Sequence, residues 1–453
     1  MVRSGVLGRE AIVVGSGMGG LVAARVLADH FERVTVLERD ALDDARDAAG
    51  VARPGVPQGK HLHALLAGGQ RVLDELFPGF TGDLDRAGAV RLTVGLDLRV
   101  ERPDFDPFPQ RDLGFFSSGL TRPRFEGCVR RRVESLDNVR LEPGCRVLGL
   151  LATDDGAAIR GVRLQREGRS ETRSAELVVD ASGTGELTLA ALRATGHATP
   201  PETTIGVDLG YSSAVFDIPD GAPREWKGVM HLPRAPETSR GGLMMPVEGS
   251  RWVLALGGRH DEHPPGDEAG LREYAASLRT PTIADAIGPA RRVGEVERFR
   301  FPESRNRHYD RLEAFPRGLV PIGDAICRFN PVFGQGLSVA ALEAGALGEV
   351  LAAATAGEGT LDGAWRPFFR AVVDIVDTPW ALAVVPDFVF PRTTGERPAD
   401  LETSLRFGAA LTRAMARHAD IHKLTGEVQH LLRPRSALMA PHVIERVMAE
   451  MTT

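Results

Sequence analysis

The stretch EAIVVGSGMGGLVAARVLADHFERVTVLERD at residues 10–40 carries the clearest structural pattern of the chain. Residues 11–14 form a short apolar run, which is typical of a strand buried in a parallel sheet. Residues 21–28 are mostly small and apolar, as expected of a helix that packs closely on such a sheet, and residues 34–37 predict a second strand. The stretch therefore predicts a strand–turn–helix–strand unit of the Rossmann kind.

The turn of this unit, GSGMGG at residues 15–20, matches the pattern G-x-G-x-x-G. Gly15 permits a tight turn, Gly17 lets the backbone approach a pyrophosphate, and Gly20 lets the helix pack against the strand. The helix N-terminus offers unpaired N–H groups to phosphate oxygens, and Glu38, at the end of the second strand, can accept hydrogen bonds from a ribose. The unit predicts a dinucleotide site. Its N-terminal position favours FAD, and we expect no separate nicotinamide domain because no second such motif follows a strand.

Two later segments add candidate ligand contacts. Residues 174–186 predict a buried strand that ends in Asp180, where an acid could either face a ligand or cap a turn. Residues 318–345 predict a strand that ends at Gly323 and Asp324, a glycine-rich loop and an alanine-rich helix. Asp324 could accept hydrogen bonds from ribityl hydroxyls, and the start of the helix favours negative charge on a ligand.

Taken together, the three motifs resemble the FAD-dependent monooxygenases of the aromatic hydroxylase and squalene epoxidase superfamily. The resemblance implies tightly bound, non-covalent FAD and NAD(P)H as a transient reductant. It places Arg124 near the pyrophosphate, for which a solvated surface arginine is the alternative, and the backbone of Val147 against the adenine. The cofactor-binding residues so predicted are Gly15, Gly17, Met18, Gly19, Gly20, Glu38, Arg39, Arg124, Val147, Asp180, Gly323, Asp324, Pro331, Gly334 and Gly336.

Residues 53–66 and 377–398 resemble a subgroup of bacterial polyketide-pathway oxygenases that includes polyether epoxidases. The first segment contains His61 and His63, which the resemblance places near the isoalloxazine as candidates for a catalytic or flavin-contact role. Buried structural histidines are the alternative for both. No other catalytic residue is predicted.

The chain also departs from the pattern of the superfamily. The middle motif usually reads Asp-Gly, whereas here residues 180–183 read DASG, and Cys327 stands where a histidine is usual. The first departure puts the usual nicotinamide contacts in doubt. The W-x-W-x-I signature of flavin halogenases is absent, which disfavours a halogenase.

The predicted fold class is α/β, with a Rossmann-like FAD-binding lobe, an inserted antiparallel-sheet substrate lobe and a C-terminal helical region. Strand-like alternation indicates the inserted sheet, and helical spacing of apolar residues indicates the C-terminal helices. The predicted lobes are residues 8–95, 121–200 and 306–350 for FAD, residues 201–305 for the substrate, and residues 351–453 for the helices.

Composition excludes several classes of protein. The 453 residues include 55 Lys+Arg and 61 Asp+Glu, a formal net charge of −6, and without a basic run we expect no nucleic-acid partner. Neither the three cysteines nor His61 and His63 have metal-ligand spacing, so no metal is predicted. The sparse cysteines suggest a reducing cytoplasm without disulfides. No membrane span, signal peptide or obligate protein partner is expected.

The expected activity is oxygenation of a large apolar, polyketide-like substrate, as in antibiotic biosynthesis. The resemblance implies that NAD(P)H reduces the FAD, that dioxygen forms a flavin C4a-hydroperoxide, and that its distal oxygen attacks an alkene or ring. The substrate lobe shows no obvious base, which favours epoxidation over phenol hydroxylation. Two alternatives stay open: a redox-neutral cyclase that uses FAD structurally, and a flavin-dependent reductase of an isoprenoid double bond. Phenylalanines predicted to line an apolar pocket, with ordinary core aromatics as the alternative, are Phe115, Phe116, Phe329, Phe333, Phe388 and Phe390.

Overall fold

The computed structural model of the protein describes residues 6–357 and 360–451. The strands are β1 (Gly8–Val14), β2 (Phe31–Leu37), β3 (Val90–Thr93), β4 (Leu98–Glu101), β5 (Phe116–Gly119), β6 (Val139–Glu142), β7 (Cys145–Ala152), β8 (Ile159–Arg166), β9 (Arg169–Ser174), β10 (Leu177–Asp180), β11 (Glu202–Asp217), β12 (Gly228–His231), β13 (Gly241–Val247), β14 (Arg251–Arg259), β15 (Arg292–Arg307), β16 (Leu319–Pro321) and β17 (Cys327–Arg328).

The α-helices are α1 (Met18–Leu27), α2 (Asp44–Ala48), α3 (Ala67–Leu76), α4 (Phe80–Arg86), α5 (Arg122–Glu134), α6 (Glu186–Ala194), α7 (Glu268–Ala276), α8 (Thr282–Ile287), α9 (Gly336–Ala356), α10 (Trp365–Asp387), α11 (Leu401–Arg417), α12 (Ala419–Gln429) and α13 (Pro441–Met451). Short 3-10 helices cover Pro57–Lys60, His260–Glu262, Tyr309–Arg311, Gly323–Ala325, Pro331–Phe333 and Arg435–Met439.

A five-stranded parallel sheet has the strand order β16–β10–β1–β2–β6. The inner strands β1 and β10 end in buried, mainly apolar runs because both faces of a parallel sheet are covered. Helix α1 contacts β1, β2 and β10 and packs against α5 and α9, while the antiparallel sheet β7–β8–β9 contacts β2 and β10. The predicted Rossmann-like unit is therefore confirmed.

A seven-stranded sheet has the order β17–β15–β11–β14–β13–β12–β4 and is antiparallel except for the pair of β12 and β4. Its centre is the long pair β11 and β15, of 16 residues each. Helices α7 and α8 bury apolar side chains with β14 in a separate core. This sheet confirms the predicted antiparallel layer beside the Rossmann-like one.

The C-terminal helices form two contacts with the rest of the chain. Helix α10 packs along α9, and its C-terminal end joins an apolar cluster with β11 and β15. Helices α11 to α13 share their own cluster, which includes Phe108. The predicted helical region is therefore present after residue 360.

The division of the chain into lobes stays a prediction. Strands β11 to β14 lie within residues 201–305, but the seven-stranded sheet also takes β4 and β17 from outside that range, and β15 continues to Arg307. The two layers therefore share segments of chain that lie far apart in the sequence.

Among the described residues, α9 is the one helix that is long and apolar enough to cross a membrane by length and composition alone. Its most apolar 18-residue window has a mean hydropathy of 1.5, and 56% of that window is buried. The helix packs against α1, α3 and α10, which is the arrangement of a core helix.

Candidate active site

The three glycine-containing turns predicted from the sequence meet at one edge of the parallel sheet. Strands β10, β1 and β16 end there, with Val14 beside Asp180 and Asp180 beside Pro321. A Cβ on Gly15 would lie 2.7 Å from the carbonyl oxygen of Ala181, so the first two turns are in close contact. Ligands of open α/β sheets bind at this carboxyl edge.

The first turn has the geometry expected of a phosphate-binding loop. Gly15 has φ +100°, and a Cβ on Gly20 would lie only 1.9 Å from the carbonyl oxygen of Gly15. A Cβ on Gly17, in contrast, would have nothing within 4 Å. Gly17 therefore borders open space at the N-terminus of α1, where a pyrophosphate can reach unpaired N–H groups.

The remaining residues of the motif pack α1 against its neighbours. Met18 is buried at the start of α1. A Cβ on Gly19 would make ordinary contacts, 3.6 Å from Ala340 of α9 and 3.7 Å from Ile322 after β16. The first and third turns are thus adjacent in space as well as in the sheet.

Glu38 is buried and held in place by its neighbours. Its Oε2 accepts hydrogen bonds from the backbone N (2.9 Å) and Oγ (2.8 Å) of Ser16, and lies 2.8 Å from Nη1 of Arg53. Burial acts to raise the pKa of Glu38, but Arg53 and the backbone N–H groups of Asp40 and Ser16 outweigh it and leave the pKa below its usual value. Glu38 is therefore an ionised acceptor beside the first turn, where a ribose would lie.

Arg53 is a residue of this site that the sequence analysis missed. Besides Glu38, its guanidinium contacts Oδ2 of Asp40 at 3.1 Å and Oε1 of Glu126 at 2.7 Å. The predicted contact Arg39, next to Glu38, is exposed. Arg53 opens the segment RPGVPQGKHLH. Its three carboxylate partners come from other segments of the chain, so no local sequence pattern could predict its role.

Of the two arginines at the start of α5, the structure directs Arg124 away from this edge. Its Nη1 donates to the carbonyl oxygen of Ala87 at 3.0 Å, and its Nε lies 3.3 Å from Oε1 of Glu248. Arg122 is buried, pairs with Glu126 at 3.3 Å, and partly offsets the burial that raises the pKa of Asp324. The predicted pyrophosphate role of Arg124 stays a prediction, and Arg122 is the arginine of α5 that lies near the third turn.

Val147 lies on β7, opposite Leu164 of β8 and beside a bulge. The start of β7 is tied to the ribose side of the site, because the backbone N of Cys145 donates to the carbonyl oxygen of Glu38 at 2.8 Å. A backbone contact of Val147 with an adenine stays a prediction.

The carboxylate of Asp180 is used within its own turn. Oδ1 accepts from the backbone N and the Oγ of Ser182, at 3.1 and 2.6 Å, and Oδ2 accepts from the N and Oγ1 of Thr188, at 3.1 and 2.7 Å. With the side chain fully buried, the structure favours the turn-capping interpretation, and a ligand contact of the side chain stays an untested prediction.

Gly323 and Asp324 lie in the third turn, which α9 supports from behind. Gly323 has φ +67°, and its N donates to Oε2 of Glu343 at 2.6 Å. Burial raises the pKa of Asp324, although Asp324 itself is exposed. We predict that the ribityl chain lies at this accessible side chain.

Glu343 was not predicted from the sequence. It is fully buried on α9, its Oε1 has no hydrogen-bond partner among the described residues, and burial raises its pKa to about 8. Cys327, which stands in place of the usual histidine, is buried nearby, and its pKa is raised by burial and then by Glu343. The third turn is therefore backed by a carboxyl group that is neutral at neutral pH.

The loop from Pro331 to Gly336 borders the segment that holds the two histidines. Pro331 and Gly336 are exposed, and a Cβ on Gly334, at φ +63°, would lie 3.3 Å from Ala64. The backbone N of Leu66 also donates a hydrogen bond to the Oγ of Ser338 on α9, at 3.0 Å.

His61 and His63 are both neutral. Burial lowers the pKa of His61 to about 4 and that of His63 to about 3, the latter with help from Arg122. Nδ1 of His61 lies 2.9 Å from Oγ of Ser213 on β11, and Nδ1 of His63 lies 3.0 Å from the carbonyl oxygen of His61. The segment therefore joins the Rossmann-like layer to the face of the seven-stranded sheet.

Aromatic side chains cover that face of the sheet. The ring of Tyr211 lies 4.7 Å from that of His61 and 5.3 Å from that of Phe299, and Phe301 follows on the same strand. Of the predicted pocket phenylalanines, Phe388 joins the cluster of this face. Phe115 contacts His430, and Phe329 contacts Trp380, at ring distances of 5.2 and 6.5 Å.

Within the described residues, no group of three or more His, Cys, Asp or Glu side chains is arranged to hold a metal ion. The residues do fit FAD: an open glycine turn at a helix N-terminus, an ionised acid beside it, and an accessible acid at the neighbouring turn.

Comparison with known proteins bears directly on this site. A family model described as an FAD binding domain matches residues 118–363, which is more than half of the chain, and one described as an NAD(P)-binding Rossmann-like domain matches residues 13–42. Squalene monooxygenase 1,2 of Brassica napus is 32% identical over 169 residues, which cover 37% of this chain and 29% of that protein. This chain belongs to the FAD-dependent monooxygenase superfamily. It is an FAD-dependent oxidoreductase with a nicotinamide reductant.

Two other proteins match nearly the whole chain. Protein Rv3254 of Mycobacterium tuberculosis is 35% identical over 431 residues, which cover 89% of this chain and 86% of that protein. The structure of the flavin-dependent brominase Bmp2 covers 98% of this chain and 100% of that one, with a TM-score of 0.67 and 16% identity. At that identity the likeness shows the fold alone.

Proposed function

We propose that the protein inserts one oxygen atom from dioxygen into a large, mainly apolar, polyketide-like substrate, by epoxidation of an alkene or hydroxylation of a ring. The observation that carries this proposal is the aromatic face formed by Tyr211, Phe299 and Phe301, of which Tyr211 and Phe299 contact the ring of His61 in the histidine segment. Such a face suits an apolar substrate.

Bound FAD supplies hydride acceptance and oxygen activation, which no side chain can provide. The first turn and Glu38 hold the adenosine diphosphate, and the third turn holds the ribityl chain through Asp324. The N-terminus of α9, beginning at Gly336, favours negative charge on the flavin ring. The chain's own contribution is thus binding, orientation and charge stabilisation.

The histidine segment orients the substrate side and excludes water from it. His61 is buried between Ser213 and the ring of Tyr211, so its neutral imidazole closes the gap between the two layers. Because burial lowers the pKa of both histidines, neither acts as a general base with a titration near neutral pH. A reaction that needs no base, such as epoxidation, agrees with this arrangement.

The proposed oxygenation is tested by mass spectrometry with labelled dioxygen. The holoprotein is incubated with NADH or NADPH, ¹⁸O₂ and a panel of apolar alkenes and aromatic compounds, with the Gly17→Ala variant as the control that lacks the open turn. One labelled oxygen atom in a product of the wild-type protein is the expected result. An isomer of unchanged mass, formed while the flavin stays oxidised, would replace the proposal with the redox-neutral cyclase, and a reduced product without label would replace it with the reductase.

A further inference from the structure

Arg328 is a cation beside the aromatic face, and no carboxylate of the described residues lies within 4 Å of its guanidinium. It lies on β17, the edge strand of the seven-stranded sheet, and is half-buried. Its guanidinium carbon lies 4.7 Å from the ring centre of Phe301. Within residues 6–357 and 360–451, its guanidinium forms no hydrogen bond and no ion pair within 4 Å.

The strand register places Arg328 on the aromatic face. It is opposite Arg305 of β15, and directly opposite residues of an antiparallel pair point to the same side of the sheet. Arg305 is four residues from Phe301, which is again the same side because side chains alternate along a strand. Phe299 is paired with Tyr211 in the same way.

Neighbouring arginines of this edge are paired, which makes Arg328 an exception. Arg305 bonds to Glu303, and Nε of Arg307 donates to Oε1 of Glu202 at 2.8 Å. Asp324 interacts with Arg328 only at longer range: burial raises the pKa of Asp324 and Arg328 acts to lower it, but the two side chains form no ion pair within 4 Å.

The N–H donors of Arg328 are therefore not accepted by any side chain of the described residues. Arg122 is balanced by Glu126, His61 and His63 are neutral, and Arg328 also acts to lower the pKa of Tyr211 and of Asp324. A half-buried guanidinium that lacks hydrogen-bond acceptors is costly, and a ligand anion supplies those acceptors.

We infer that the substrate carries an acidic group and that Arg328 binds this group. The group is a carboxylate or an ionised enol or phenol, and the apolar part of the substrate lies on the aromatic face. This inference rests on the proposed function and narrows its substrate class. The inference distinguishes this protein from an enzyme that acts on a neutral hydrocarbon, because a hydrocarbon has no anionic group that a guanidinium could bind.

The test compares acids with neutral analogues of equal shape. Binding of 2-naphthoate and 2-naphthamide, and of dodecanoate and dodecanol, is measured on the oxidised holoprotein by the change in the flavin absorbance. The variants are Arg328→Met and Arg328→Lys. Arg366→Met is the matched control, since Arg366 also lies over a ring, 4.4 Å from the centre of Trp365, outside the site.

In the wild-type protein and in Arg366→Met, at least one acid should bind about ten- to hundredfold more tightly than its neutral analogue. The ratio of the Kd of the neutral analogue to the Kd of the acid should fall to about one in Arg328→Met, and Arg328→Lys should retain part of it. A ratio of one for both pairs in the wild-type protein, including no binding at all, overturns the inference, as does an unchanged ratio in Arg328→Met. Weakened FAD binding in Arg328→Met with an unchanged ratio would assign the arginine to the cofactor and also overturn it. Because the measurement needs no turnover, its failure leaves the labelled-oxygen result untouched.

Discussion

Asn330 and Asp387 join the loop before α9 to the end of α10: Nδ2 of Asn330 lies 3.0 Å from Oδ1 and 3.3 Å from Oδ2 of Asp387. Arg259 at the end of β14 bonds to the same carboxylate, and all three side chains are buried. Oδ1 of Asn330 also accepts from the N of Val332 at 3.1 Å. The loop that borders the flavin site is therefore fixed to both layers of the fold through one carboxylate.

The first prediction concerns this carboxylate. Asp387→Asn leaves Arg259 as a buried charge without its counter-ion, and the loss of one partner of a buried pair costs about 3–5 kcal/mol of unfolding free energy. Denaturant unfolding of the holoprotein measures the change. The control is Asp261→Asn, whose partner is the exposed Arg392, with an expected loss of at most about 1 kcal/mol. Equal losses in the two variants would contradict the role given to Asp387.

The second prediction concerns the open turn. Gly17→Ala places a methyl group where the pyrophosphate approaches and should raise the Kd of FAD by at least about tenfold, or ~1.4 kcal/mol. Gly408→Ala is the matched control, because a Cβ there also has nothing within 4 Å, and in helix α11 it should stabilise the protein by about 0.5–1 kcal/mol. The measurement is an FAD titration of the apoprotein. Equal FAD affinities of Gly17→Ala and the wild-type protein would place the phosphates elsewhere.

The third prediction concerns Asp324. Asp324→Ala should raise the Kd of FAD by about ten- to hundredfold, since a hydrogen bond to a charged group contributes about 1.5–3 kcal/mol. Unfolding should stay cooperative. The exposed Asp220 supplies the control variant Asp220→Ala. An unchanged FAD titration for Asp324→Ala would make this residue a turn residue only.

The fourth prediction is a pH dependence set by Glu343. Burial raises its pKa to about 8 from 4.5, so the folded protein keeps a proton that the unfolded chain has lost, and stability contributed by this group falls as pH rises from 4.5 through 8. Glu343→Gln cannot ionise and can still accept from Gly323. Its unfolding free energy relative to the wild type should therefore rise steadily between pH 5 and pH 8. A difference that is constant over this range would show that Glu343 does not carry a raised pKa.

The first turn and its flanking elements could be predicted from the sequence because each depends on local patterns: an apolar run for β1, glycines at the close contact of Gly15 and Gly20, and an acid at the end of β2. The meeting of the three turns depends on the order β16–β10–β1, which joins strands far apart in the sequence. The periodicity of apolar residues in the sequence does not indicate that strand order.

The residues that were missed share one property, which is that their partners are distant in sequence. Arg53 pairs with Glu126, and Asp387 pairs with Arg259, 128 positions away. An acid in the apolar helix α10 is a signal of a buried partner, but the partner cannot be named without the fold. Arg124 was predicted from a resemblance in position, and the packing of α5, which directs it towards Ala87 and Glu248, could not be read from the sequence.

The central claim, that this chain holds a redox-active FAD, is tested most directly by anaerobic reduction. The purified holoprotein is mixed without oxygen with NADH and, separately, with NADPH, alone and with the apolar panel, and the visible flavin band is followed before and after air is admitted. The account predicts slow bleaching of the band by at least one nicotinamide, faster bleaching when a ligand fills the cavity, and recovery of the band in air. A band that dithionite bleaches but neither nicotinamide changes, with or without ligand, would contradict the account.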